Sequence, residues 1–145
     1  MTTIDGPLRI EKPIPVYVGE DLVLQIAVRD GVPSVASRYG ALVSVAASTK
    51  KGVLTIYKPD GTTTITRDTS VSGEGEKADE DGDTVNDSYR FLISAAVTAL
   101  WTAGEKVAFH VEHQDSGTTP ATARLIAYGE LEIRTKPGAG GTVLP

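Results

Sequence analysis

Alternation of apolar and polar residues with a period of two is the feature that most constrains this chain. The clearest segment has the apolar members Leu22, Leu24, Ile26 and Val28. A second segment has the apolar members Val107, Phe109 and Val111. Because successive side chains of a strand point to opposite faces, each segment presents one apolar face and one solvent face. Both are therefore predicted to be half-buried strands with these residues in the core.

Further segments show strand composition, and turn signals separate them about every 8–12 residues. The other predicted strands lie at 14–18, 41–47, 53–57, 62–69, 89–93 and 121–133. Pro59 and Gly61 form a turn signal that joins two of them as a hairpin. Residues 95–101 favour one or two helical turns. About seven strands with at most one short helix predict an all-β fold, an antiparallel β-sandwich or, alternatively, a small β-barrel.

The length and composition predict one packed domain between two terminal segments. The chain has 145 residues, of which 40% are hydrophobic and 23% charged. Residues 1–13 carry Pro7 and Pro13 and are predicted to be an N-terminal arm that is ordered against a neighbour. Residues 14–135 form the predicted sandwich domain. Residues 136–145 are glycine-rich and predict a flexible C-terminal tail.

The negative charge of the chain is concentrated in one segment. The net charge is −5, and seven of the 19 acidic residues lie between Val71 and Asp87 with a single lysine. Residues 70–87 therefore predict an acidic loop on a nearly neutral body. Because nucleic-acid binding needs a basic surface, this distribution argues against nucleic acid as a partner.

Within the acidic loop, the aspartates are spaced like the beginning of a calcium loop. Asp79, Asp81, Asp83 and Asp87 occupy positions 1, 3, 5 and 9 of such a loop. The position-6 glycine is replaced by Thr84, and the position-12 glutamate is replaced by Arg90. Two interpretations stay open, a calcium site and a solvated acidic loop that contacts a basic neighbour.

The chain lacks the residues that most catalytic and cofactor sites need, so neither an enzyme nor a bound cofactor is predicted. It has no cysteine and only two histidines, His110 and His113. Three residues apart on a strand, these side chains point to opposite faces, and we interpret both as surface imidazoles. The glycines at 138–141 are not followed by a helix that binds phosphate. The N-terminus has no apolar signal segment, and no apolar stretch approaches the roughly 20 residues of a membrane helix, so no membrane partner is predicted.

Two parts of the sequence resemble a known family. The first is 15–28, a strand, a Gly-Glu-Asp turn and a second strand. The second runs from the aromatic strand at 89–94 through the corner Thr98-Ala-Leu-Trp-Thr-Ala-Gly104, the strand at 107–112, the turn Asp115-Ser-Gly117 and the strand at 124–133. This order is similar to that of small Ig-like modules in tailed-bacteriophage virion proteins, including baseplate upper-protein N-terminal domains and head or tail accessory proteins. The resemblance covers about half of the chain, and the acidic loop departs from it.

The resemblance implies an Ig-like sandwich that serves as a structural virion protein, in the capsid, neck or tail. Such a subunit is made in the host cytoplasm, acts in virion assembly or stabilisation, and contacts other virion proteins as a symmetric homo-oligomer. The threonine-rich strand at 62–69 is a candidate edge for pairing with a partner. The predicted partner-binding residues of the two termini are Thr2, Ile4, Leu8, Ile10, Val143 and Leu144.

A different function remains open at this stage. Some sandwich domains bind carbohydrate or a host surface through exposed aromatic rings, and Trp101 with neighbouring tyrosines is the candidate platform. A lone tryptophan in a small sandwich also serves as a core anchor. The exposure of Trp101 therefore separates the two interpretations.

Overall fold

The computed structural model describes residues 8–32, 35, 38–58 and 64–136. Within these residues the chain forms nine strands and one helix of a single turn, which confirms the all-β prediction. The strands are β1 (Leu8–Arg9), β2 (Ile14–Tyr17), β3 (Leu22–Ala27), β4 (Lys50–Tyr57), β5 (Thr64–Asp68), β6 (Gly75–Ala78), β7 (Ser88–Ile93), β8 (Lys106–Asp115) and β9 (Thr122–Arg134). The helix α1 covers Ala95–Thr98.

The strands are arranged in two sheets. The larger sheet has the order β1-β9-β8-β4-β5, and β2 also pairs with β9. The smaller sheet has the order β3-β7-β6. The pairing is antiparallel except at β1 and β2, which run parallel to β9, so the wholly antiparallel prediction is wrong at this edge. A parallel pair needs a long connection, and almost the whole domain lies between β2 and β9.

The apolar faces of both sheets contribute to one core. Tyr89 and Phe91 of β7 lie in the same buried cluster as Leu54 of β4 and Phe109 of β8. The predicted core positions of the two alternating segments are all buried. Val23, which lies between Leu22 and Leu24, is 54% exposed. The period-two pattern therefore identified the inward faces of β3 and β8 correctly.

The predicted strand at 41–47 does not form. Leu42 forms an isolated bridge with Arg29, two residues beyond the end of β3, and the backbone N–H of Val43 donates to the carbonyl oxygen of Val28. The segment then moves towards the start of β7, where the backbone N–H of Val45 donates to the carbonyl oxygen of Asn86. Val45 is fully buried, so this segment supplies an apolar side chain to the core without running along one strand.

The predicted acidic loop at 70–87 contains a strand that the sequence pattern did not indicate. Residues of β6 pair with β7 in the register Gly75 opposite Phe91 to Ala78 opposite Ser88. An edge strand with one buried residue shows little apolar alternation, which explains why it was missed. Glycine is required at its start, because a Cβ at Gly75 would lie 2.6 Å from the carbonyl oxygen of Arg90.

The N-terminal segment belongs to the body from residue 8 onwards, which differs from the predicted arm at 1–13. The backbone N–H of Ile10 donates to the carbonyl oxygen of Tyr128, and β1 pairs with β9. Leu8 and Ile10 pack against the core of their own chain, so their apolar side chains have an intramolecular role. The other predicted partner-binding residues, Thr2, Ile4, Val143 and Leu144, lie outside the described residues.

Candidate functional site

Aromatic side chains gather on the outward face of the larger sheet. His110 of β8 lies opposite Tyr128 of β9 and Thr55 of β4. The rings of Tyr57 and His110 are 5.3 Å apart between centroids and inclined by 44°. Tyr57 is 42% exposed and Tyr128 is 38% exposed. Strand alternation causes this arrangement, because burial of Phe109 and Val111 places the intervening His110 outside.

A bulge adds a further apolar side chain to this face. The register between β8 and β9 shifts between Val111 and Glu112, so that Ile126 and Ala127 are both buried and Leu125 turns outward. Leu125 is 40% exposed. We call the resulting uncharged patch the aromatic face, which consists of Tyr57, Ala108, His110, Leu125 and Tyr128.

Charged residues surround the aromatic face. Glu130 lies opposite Ala108, and Glu112 lies opposite both Leu125 and Val53. On the neighbouring strands, the ammonium group of Lys51 is 2.8 Å from the carboxylate of Asp68. An uncharged aromatic centre with a charged rim is a composition that recurs at protein–protein interfaces.

The acidic loop brings together the four aspartates predicted from their spacing. One carboxylate oxygen each of Asp79, Asp81, Asp83 and Asp87 lies within 4.8 Å of those of the other three. The loop turns through the left-handed backbone conformations of Gly82 (φ 79°) and Thr84 (φ 71°). Asp79 fixes this turn, because its carboxylate accepts the backbone N–H groups of Gly82 at 2.9 Å and Thr84 at 2.6 Å.

The pKa values of two clustered carboxylates, Asp79 and Asp81, are shifted in opposite directions. Partial desolvation raises the pKa of Asp79, but hydrogen bonds from Thr84 and Gly82 outweigh it and hold the pKa below its ordinary value. Partial desolvation also raises the pKa of Asp81, and the neighbouring carboxylates of Asp83 and Asp79 keep it raised. The cluster therefore attracts a positive charge, whether that of a cation or of a basic side chain.

The residue at the last position of a calcium loop does not support a complete cation shell. Arg90 stands where a bidentate glutamate belongs, and its guanidinium bonds instead to Glu76 at 2.7 Å and to Gln25 at 3.0 and 2.8 Å. A calcium ion takes about six to eight oxygen ligands. The four clustered aspartates provide part of such a shell, so both interpretations of the loop stay predictions.

Trp101 lies in the core rather than on the surface. It is 6% exposed and follows the α1 corner, where the Thr98 hydroxyl donates to the carbonyl oxygen of Glu20 at 2.7 Å. Gly104 ends the corner with φ 93°, and its N–H donates to the carbonyl oxygen of Ile133 at 2.8 Å. The indole borders a surface groove of about 420 Å³ that we call the Trp101 groove. Its lining consists of Ile56, Lys58, Leu100, Trp101, Thr102, Glu105, Val107 and Ile133.

The two histidines point to opposite faces of β8, as predicted, but only His110 lies on the surface. His113 is 9% exposed, and its Nδ1 lies 2.7 Å from the hydroxyl of the fully buried Tyr89. The two rings are stacked with centroids 5.8 Å apart. The surface interpretation is therefore wrong for His113, because β8 is central in its sheet and the hydroxyl of Tyr89 provides an internal polar partner.

Comparison with known proteins gives no match from which a function could be inferred, so the functional argument starts from the geometry of this chain. No protein-family model matches the sequence, and no curated protein matches it. In the described part of the chain, no helix has the length and apolar character needed to cross a membrane.

Proposed function

We propose that this chain is a structural subunit of a tailed-bacteriophage virion and acts through protein–protein contacts in assembly or stabilisation of the particle. The observation that carries the proposal is the aromatic face. Its uncharged centre exposes two tyrosines and a leucine beside the half-buried His110. Large aromatic side chains dominate the binding energy of protein interfaces, because they bury much area at little conformational cost.

The strand order supports the Ig-like part of the proposal. In an immunoglobulin-like domain one sheet contains B, E and D, and the other contains C, F and G. Here β3, β7 and β6 form one sheet with β7 central, and β4, β8 and β9 are neighbours in the other with β8 central. The segments with the family resemblance are β2 with β3 and the continuous region from β7 to β9.

The free edge of the larger sheet supports contacts with further subunits. β5 is the last strand in the order β1-β9-β8-β4-β5, and its sequence is Thr64-Ile-Thr-Arg-Asp68. Two backbone groups of this strand bond to side chains of the same chain, because the carbonyl oxygen of Thr66 accepts from the guanidinium of Arg67 and the N–H of Asp68 donates to the carboxylate of Glu74. Pairing with a strand of a neighbouring subunit would replace these bonds, and such pairing suits a symmetric assembly of many copies.

The carbohydrate-binding alternative loses its platform. Stacking on a sugar requires an accessible ring face, whereas Trp101 is 6% exposed and contributes to the core. The exposed tyrosines of the aromatic face lie beside one another on a sheet instead of around a cleft, which favours a protein partner.

The proposal is tested in particles and with a matched pair of variants. We expect a mass-spectrometric inventory of purified virions to contain this chain in many copies. In a complementation assay, Tyr57→Ala combined with Tyr128→Ala should reduce its incorporation at least about tenfold, because two interface anchors are removed. Val23→Ala on the outward face of the smaller sheet is the control, since Val23 is also exposed.

Two results contradict the proposal. One is the absence of the chain from purified particles. The other is equal incorporation of the double tyrosine variant and the wild type, which would show that the aromatic face is not a contact surface. Thermal unfolding of both variants verifies that any loss of incorporation does not come from loss of folding.

A further inference from the structure

β3 is an edge strand of the smaller sheet, whose order is β3-β7-β6. In the immunoglobulin arrangement a further strand, A, lies beside B in the corresponding sheet. Here β2, which precedes β3 in the sequence, pairs instead with β9 of the larger sheet. Among the described residues, no strand therefore lies on the outer side of β3, where Gln25, Ile26 and Ala27 line a surface groove of about 390 Å³.

The hydrogen-bond pattern determines which backbone groups of β3 point to this open side. The N–H of Val28 donates to the carbonyl oxygen of Asp87, in continuation of the register between β3 and β7. Because bonded residues alternate along an antiparallel pair, Val23, Gln25 and Ala27 direct their N–H and carbonyl groups away from β7. None of these backbone groups has a hydrogen-bond partner within the described part of the chain.

The composition of β3 also leaves it open to pairing. Its sequence Leu22-Val-Leu-Gln-Ile-Ala27 has no charged residue and no proline, the residues by which natural edge strands prevent the addition of another strand. The other strands at the sheet edges in the described part carry such residues, namely Arg9 in β1, Pro15 in β2, Arg67 and Asp68 in β5, and Glu76 and Lys77 in β6. β3 is therefore the edge that opposes strand addition least.

We propose that two copies of this chain pair antiparallel through β3, about a two-fold axis at Gln25. In this register Val23 of each copy lies opposite Ala27 of the other, and Gln25 lies opposite its counterpart. Every open N–H and carbonyl group from Val23 to Ala27 gains a partner, because these residues are the hydrogen-bonded positions of the new pair. The smaller sheets of the two copies become one continuous sheet.

The charges that flank β3 favour a second copy as the occupant. Asp21 precedes the strand, and Arg29 follows it by two residues. In the register centred on Gln25, Asp21 of each copy lies opposite Arg29 of the other, so opposite charges face each other at both ends. The guanidinium of Arg124 donates to the carbonyl oxygen of Arg29 at 2.7 Å, which ends the open stretch of backbone at that point. One self-complementary surface on both copies is the property of a two-fold interface.

This inference does not rest on the virion role, because the association is a property of the purified chain in solution. The aromatic face lies on the larger sheet and β3 on the smaller one. Tyr57→Ala combined with Tyr128→Ala should therefore leave the β3 dimer intact. Failure of this inference and failure of the virion proposal are thus separate results.

Sedimentation velocity on the purified chain, from about 1 μM to about 1 mM, measures the association, and we expect a dimer that dissociates on dilution. Gln25→Lys and Gln25→Glu should each weaken this dimer at least about tenfold, because like charges then lie directly opposite at the axis. An equimolar mixture of the two variants should restore it. Leu92→Lys is the control on the same outward face and should leave the dimer unchanged. Leu92 lies one strand further from the axis, so its two copies are at least about 14 Å apart, beyond the screening length of the buffer.

The absence of cysteine from the chain allows the register to be tested by cross-linking. Opposite residues of a hydrogen-bonded pair have Cα atoms about 5.5 Å apart, which suits a disulfide. Gln25→Cys should therefore form a covalent dimer under mild oxidation. Val23→Cys is the matched control on the same edge and face. Its counterpart lies four residues along the partner strand, roughly 13 Å away, so we expect no cross-link.

Three results overturn the proposal. The first is a chain that stays monomeric up to about 1 mM. The second is equal cross-linking of Gln25→Cys and Val23→Cys, which contradicts an axis at Gln25. The third is a dimer that survives both charge variants and is lost in the double tyrosine variant, which would identify the aromatic face as the interface. Thermal unfolding verifies that each variant is folded, and recovery of the dimer in the mixture cannot come from unfolded chains.

Discussion

Replacing Tyr89 with phenylalanine removes one hydroxyl from the centre of the core and leaves the ring in place. That hydroxyl lies 2.7 Å from Nδ1 of His113, and both side chains are buried. Without it, the imidazole loses the partner that compensates its removal from water. A buried polar group left without its hydrogen bond costs about 1–3 kcal/mol, so we expect the free energy of unfolding to fall by that amount.

The fall in the free energy of unfolding is measurable by guanidinium unfolding, and the fall in the unfolding temperature by thermal unfolding, both followed through the fluorescence of Trp101. For a domain of this size, 1 kcal/mol corresponds to roughly 4 °C in the unfolding temperature, so the expected fall is roughly 4–12 °C. Tyr57→Phe is the control, because the same hydroxyl is removed from a side chain on the aromatic face. We expect it to change the free energy of unfolding by less than about 0.5 kcal/mol. If Tyr89→Phe is as stable as this control, the buried contact does not stabilise the fold.

The buried pair of Tyr89 and His113 also makes the free energy of unfolding depend on pH, with lower stability at acidic pH. Burial lowers the pKa of His113, and the charges of Arg124 and Lys50 lower it further. The unfolded chain therefore binds a proton at a higher pH than the folded chain does. The contribution of neutral His113 is fully present above about pH 6.5 and is lost as the pH falls from there towards the lower pKa of the folded state. His113→Gln should abolish this part of the slope, and an unchanged slope in that variant would refute the assignment.

Three further predictions concern the core and the acidic loop. Gly52→Ala should cost about 1–3 kcal/mol in guanidinium unfolding, because its Cβ would lie 2.5 Å from the ring of Tyr89; a neutral effect would show that the ring has room to move. Asp81→Asn should raise the unfolding temperature at neutral pH and lose this effect as the pH falls and Asp81, whose pKa partial desolvation and the neighbouring carboxylates of Asp83 and Asp79 keep raised, becomes protonated. A lower unfolding temperature at neutral pH would contradict the repulsion within the cluster. Calcium at about 10 μM should leave the unfolding temperature unchanged, because the loop provides only part of a calcium shell; a rise that Asp83→Asn abolishes would assign the loop to calcium instead.

The parts of the fold that sequence reasoning predicted correctly are those in which one strand buries one face. β3 and β8 follow this pattern, since every second residue is buried from Leu22 to Ile26 and from Val107 to Val111. β6 could not be found in this way, because only Ala78 of its four residues is buried. The wrong prediction of a strand at 41–47 has another cause. The backbone N–H of Val43 donates to Val28, whereas that of Val45 donates to Asn86, and a strand-like composition does not reveal this change of partner.

The candidate sites show the same limit of local patterns. Spacing predicted the cluster of Asp79, Asp81, Asp83 and Asp87, because the first three lie in one tight turn. Asp87 joins them through the fold, since its backbone N–H donates to the carbonyl oxygen of Ala78 at the end of β6. The aromatic face was not predicted, because Tyr57, His110 and Tyr128 come from three strands and meet only through the register of β4, β8 and β9. Alternation did place His110 outward, so a pairing scheme for the strands was the missing information.

β8 contributes both to the core and to the aromatic face, but with different side chains. As the central strand of the larger sheet, it buries Phe109 and Val111 on one side and presents Ala108 and His110 on the other. Because the two sets alternate along one rigid strand, the core fixes the geometry of the aromatic face without sharing side chains with it. Outward substitutions on β8 should therefore alter association at nearly constant stability, whereas inward ones should reduce both. This separation suits the proposed role of a subunit that folds before it meets its partners.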